Sequence, residues 1–71
     1  MIVISKYLHD NLITMLTCRI REATDIYRKS GEAQYLDICY GRVSMAYALG
    51  AISDNECIEL MDRLNKAAKR F

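Results

Sequence analysis

His9 is the only histidine in the chain, and Cys18, Cys39 and Cys57 are the only thiols. Together they could make a Cys₃His zinc set. The spacing argues against it. The thiols fall one to each predicted helix, with none of the close ligand pairing that zinc sites use. Cys39 and Cys57 lie on apolar faces, where a free cysteine behaves as a small hydrophobe. Cys18 follows no local base, and adjacent Arg19 diverges from it on a helix, so thiolate chemistry lacks an activating group. His9, Asp10 and Asn11 are consecutive. Successive helical residues point apart, so these three predict a surface histidine near a helix start and no proton relay. There is no phosphate-cradling glycine loop, no H-E-x-x-H and no G-x-S-x-G. The reading is a non-enzymatic chain that needs no metal and no cofactor.

Two residue sets point instead to binding. Tyr27, Tyr35, Tyr40 and Tyr47 crowd into one short region. Tyrosine is enriched at protein interfaces, and it also fills cores and dimer seams with its hydroxyl at the edge. Tyr35, Tyr40, Tyr47 and Met45, with Arg42 as charged anchor, are the expected contact surface. The second set is Arg19, Arg21, Arg28 and Lys29, a basic face that would serve a nucleic-acid regulator if assembled across a dimer. Glu22 and Asp25 interrupt it.

The elements that position these groups are read from apolar spacing. Leu8, Leu12, Met15, Leu16, Ile20, Ala23, Ile26 and Tyr27 recur at three- and four-residue steps and predict a first helix over 6–29. Arg21–Asp25 and Asp25–Lys29 are candidate i,i+4 pairs on it. Ser30-Gly31 ends it. A second helix is expected over 32–49. It is apolar nearly all round, so it reads as the central, sandwiched element. Gly41, Ser44 and Ala48 form a small-residue stripe along it. A third helix over 53–70 has a clean stripe (Cys57, Ile58, Leu60, Met61, Leu64, Ala67, Ala68), acids at its start and bases at its end, as the helix dipole favours.

The junction between the second and third helices is the sharpest local signal. Gly50 is placed to take a left-handed conformation and close one helix. Ser53 and Glu56 form the S-x-x-E capping box that opens the next, with Ile52 and Cys57 as its hydrophobic staple. Residues 48–53 resemble the turn of the helix-turn-helix DNA-binding motif. That resemblance implies a reading helix with its first residues in the major groove. Here those positions hold Asp54, Asn55, Glu56 and Glu59, which phosphates repel.

The fold expected is all-α: one domain over residues 1–71, a long first helix, a central second, a tight turn and a third. Residues 2–4 (Ile2, Val3, Ile4) read equally as a short N-terminal strand or as the start of the first helix. Seventy-one residues with 52% hydrophobic content make a marginal core with more apolar surface than one copy hides. A homodimer is the expected remedy, since neither disulfide nor metal is in view. An odd thiol count without an export signal suggests a cytoplasmic setting, in bacteria or their phages. No apolar run reaches a membrane span. A net charge of +1 gives no basic excess to hold nucleic acid by itself. The leading expectation is a protein-binding adaptor, inhibitor or regulator. The alternatives are the nucleic-acid regulator and a structural subunit of a larger assembly.

Overall fold

The computed structural model describes residues 5–69 and consists of three helices: α1 (Lys6–Ser30), α2 (Gln34–Ala48) and α3 (Asp54–Ala68). The choice between strand and helix for residues 2–4 lies outside the described residues. All-α is as the spacing predicted, and no strand is present among the described residues.

Each helix boundary has a local cause. Ser5 caps α1, its hydroxyl accepting from Leu8 N–H at 3.2 Å. Gly31, at φ 77°, takes the left-handed turn that ends α1, and its N–H returns to the Tyr27 carbonyl. Thr17, Thr24 and Ser30 each donate to the carbonyl four residues back. Their hydroxyls are thereby satisfied without leaving the helix. α2 begins two residues later than expected, at Gln34, because Ala33 offers no side chain to cap it. Gly50 takes φ 78°, as anticipated. At α3 the capping box is complete. Ser53 Oγ accepts from Glu56 N–H at 3.2 Å, and Glu56 Oε1 accepts from Ser53 N–H at 2.8 Å.

The helices run up, down and up. Leu12 and Met15 of α1 share a hollow with Met45 and Leu49 of α2, while Ile26 shares one with Tyr35, so α1 and α2 are antiparallel. His9 meets Glu56, and Arg28 lies near Lys66, so α1 and α3 are parallel. The core is a single cluster of Leu16, Ile20 and Ala23 from α1, Leu36, Cys39, Val43 and Ala46 from α2, Ile52 from the turn, and Leu60, Leu64 and Ala68 from α3. No buried side-chain polar atom among the described residues lacks a partner.

One expectation is corrected here. α2 is not sandwiched. Three helices give it two neighbours, both on one side. Its Leu36–Cys39–Val43–Ala46 face is buried, and the opposite face is left open. On α3, Glu59–Arg63 (3.4 Å) and Asp62–Lys66 (2.9 Å) pair one turn apart. On α1, Arg21–Asp25 and Asp25–Lys29 do not. Lys6–Asp10 and Arg19–Glu22 (each 3.2 Å) form instead.

Candidate functional site

The open face of α2 continues onto α1, and together they make the candidate site. On α2, Ile38, Arg42, Met45 and Leu49 are spaced by four, three and four residues. On α1, Leu8, Leu12, Met15, Arg19, Glu22 and Ile26 alternate the same way. This is the 3.5-residue repeat with which helices pack against other helices. Here the two repeats point outward. Met45 is 60% exposed, Leu8 55%, Met15 48%, Ile38 48% and Leu49 42%. Single exposed apolar residues are ordinary on a protein surface. A continuous two-helix face of them is not.

Between the repeats runs a groove with two dissimilar ends. One end is a hollow of ≈ 540 Å³ floored by Leu16 and Ala46, with Leu12, Met15, Met45 and Leu49 as its sides. Gly41 borders it, and no atom lies within 4 Å of where its Cβ would be. The other end is charged. Arg19, Glu22 and Arg42 stand there beside Ile26, Ile38 and Tyr35. Arg19 is engaged with Glu22 at 3.2 Å. Arg42 lines both hollows, and no ion pair forms to it among the described residues. From Leu12 to Ile26 the groove follows fifteen residues of α1, a rise of roughly 21 Å.

The five residues expected to form one contact surface are divided by the fold. Tyr35, Arg42 and Met45 border the groove. Tyr40 and Tyr47 face α3. The Tyr40 hydroxyl donates to Asn65 Oδ1. A hydrogen bond to the Asp54 carboxylate holds the Tyr47 phenol above its ordinary pKa. Residues 40 and 47 are seven apart and share a side. Residues 35, 42 and 45 lie about a third of a turn or more away from it. Tyr27 packs against the core instead.

The basic set is divided too. Arg19 borders the groove, while Arg28 lines a separate hollow with Lys66 and Lys69. Arg21 is two residues from Arg19, about 200° around the helix. Lys29 is exposed near the end of α1. No face of one copy collects all four.

His9 stands partly exposed near the start of α1, as expected, and it has two partners that the spacing does not show. Nε2 lies 2.7 Å from Glu56 Oε2, and Nδ1 lies 3.2 Å from Asp10 Oδ1. Adjacency in the helix did not prevent the Asp10 contact. The two carboxylates favour the protonated ring, so the His9 pKa is raised, chiefly by the bond to Glu56. Glu56 is lowered, first by the Ser53 backbone N–H and then by His9. Asp10 is lowered by His9 and Lys6. One carboxylate thus caps α3 with one oxygen and ties down α1 with the other. His9 lines none of the three hollows described here, and its arrangement is that of a clamp between helix starts.

The thiols remain separate: Cys39 buried, Cys57 half-buried and Cys18 exposed. Burial raises the Cys39 pKa, so its thiol is kept protonated. Among the described residues no three His, Cys, Asp or Glu side chains come together as metal ligands, and no helix is long and apolar enough to cross a membrane. Leu12, Met15, Ile38 and Leu49 line the groove, and Leu8 stands one turn beyond it. By spacing, Leu8, Leu12 and Met15 belong to the apolar stripe read for the first helix, and Ile38 and Leu49 to a second helix read as apolar nearly all round. The four-three alternation was the signal that could have set them apart. The chain matches no known protein family, no curated protein and no solved structure.

Proposed function

We propose that this chain is a protein-binding module, an adaptor, inhibitor or regulator that works by contact and carries out no chemistry of its own. Its contact surface is the α1/α2 groove, with Met45, Arg42 and Tyr35 from the expected set joined by Leu8, Leu12, Met15, Ile38 and Leu49. The observation that carries this reading is the outward-facing apolar repeat on two adjacent helices. Such a face is stabilised when another helical surface removes it from water, at about 25 cal/mol per Å² of apolar area. Tyr40 and Tyr47, engaged with α3, contribute to the scaffold.

The test is a photo-crosslink in cells. A benzophenone side chain at position 45 should give an adduct with a polypeptide. The same group at Asn55, exposed in the first turn of α3 and lining neither hollow of the groove, should not. Absence of any adduct at 45 would overturn the reading, whatever position 55 gives.

A further inference from the structure

The two ends of the groove constrain what can lie in it. A partner must present apolar side chains over Leu12, Met15, Met45 and Leu49. One turn or more away it must present an acid to Arg42, the groove cation to which no ion pair forms among the described residues. The chain itself carries such a surface. Leu8, Leu12 and Met15 are followed on the same face of α1 by Glu22, and Glu22 stands at the Arg42 end of the groove.

We infer that the groove is closed by a second copy of this chain, related by a two-fold axis parallel to the helices, which sets α1 of each copy over α2 of the other and Glu22 of each copy against Arg42 of the other. This rests on the protein-binding reading and names the partner.

The arrangement follows from the pattern. An axis parallel to the helices keeps level with level. The apolar ends meet, and so do the charged ends. Glu22 then lies between Arg19 of its own copy and Arg42 of the other, one acid serving two cations. An axis across the helices reverses one copy. Centred on the apolar end, it covers Leu12 and Leu49 and leaves Arg42 without an acid. Centred on the charged end, it pairs the charges and leaves Leu8, Leu12 and Leu49 in water. Only the parallel axis satisfies both. It also makes every neighbouring pair of helices in the resulting four-helix layer antiparallel, the up-down order of simple bundles. The same patch serves on both copies, as an isologous contact requires. Gly41, with its Cβ position open, leaves room for the Met15 side chain that arrives from the other copy.

The experiment is light scattering after size exclusion over a dilution series, on the whole chain and three charge variants. The parent should have twice the mass of one chain. Arg42→Glu and Glu22→Arg should each weaken the dimer by about tenfold or more, since the symmetry doubles each lost pair. The double variant Glu22→Arg/Arg42→Glu should return it to near the parent value. All four should keep the parent's helical circular dichroism, because both residues are exposed. A single-chain mass at every dilution overturns the inference. So does a dimer indifferent to Arg42→Glu, or single variants that the double does not rescue. The position-45 crosslink separates this from the reading beneath it. An adduct between two copies supports both. An adduct with a different protein overturns the self-pairing and leaves the protein-binding reading standing. No adduct overturns both.

Discussion

The two faces of α2 are built from the same kinds of residue and meet opposite fates. Leu36, Cys39, Val43 and Ala46 look inward and are almost wholly buried. Ile38, Met45 and Leu49, interleaved with them along fourteen residues, look outward and stay in contact with water. Nothing in their chemistry separates the two groups. What separates them is the number of helices available. The two other helices cover one face of α2, and the outer face stays open. The difference teaches that hydrophobic spacing identifies a face that must be covered and does not say by which chain.

The largest effect should come from the inner face. Leu36→Ala removes a fully buried side chain where α1, α2 and α3 converge. It should cost about 2–5 kcal/mol in urea denaturation. Met45→Ala, on the outer face, should change the stability of the isolated chain by no more than about 0.5 kcal/mol while weakening association. If the two substitutions destabilised the monomer equally, the contrast between the faces would collapse.

Next come the turns that set where each face begins. Ser53→Ala should cost about 1 kcal/mol, because α3 loses one half of its capping box and the N–H groups of its first turn lose an acceptor. Gly31→Ala should cost a similar amount, about 1 kcal/mol. Its left-handed φ strains any Cβ, although the space around it is open. Thermal melting reads both. A loss confined to Ser53→Ala would mean that the α1–α2 joint relaxes without strain.

The smallest effect is a pH dependence at the α1/α3 clamp. The groups facing His9 are Asp10 on its own helix and Glu56 on α3. The folded pKa of His9 is raised above 6.5, so its contribution is fully present below that value and fades as pH rises through the higher folded value. Glu56 is lowered from 4.5, so its contribution holds above that value and is lost as pH falls through the depressed folded value. The clamp is therefore complete between about pH 4.5 and 6.5. The stability lost in His9→Gln should be greatest in that window and shrink toward alkaline pH. A difference that stays constant from pH 5 to 9 would remove His9 from the account.

Much of the fold was legible because it is local. The caps at Gly50, Ser53 and Glu56 are decided by residues within a few positions of one another. The α3 stripe holds except at Ile58, which stands 66% exposed on an outer face that is otherwise mostly charged. α2 was misread because polar residues are too few to mark which side is wet, so its outer repeat passed for core. The late start of α2 came from the absence of a cap at Ala33, a feature that apolar spacing does not register. The His9–Glu56 contact spans 47 residues of chain and depends on α1 and α3 being parallel, which no spacing within either helix encodes. The division of the tyrosines follows from the same packing. Tyr40 and Tyr47 are recruited by α3, and only Tyr35 remains with the groove.

The uncapped start of α2 bears on the order of events when the groove is filled. The charged end of the groove hangs on that first turn, where Tyr35 and Ile38 follow Ala33 without a side-chain cap. The apolar end is held by the Gly50 turn and the capped α3. Amide protons near Gln34 should therefore exchange with solvent faster than those near Glu56. If a second copy fills the groove as proposed, it would settle first on the apolar end, and the uncapped turn would close over it afterwards. Departure would run in reverse, so the lifetime of such a complex would follow how often that one turn of helix opens.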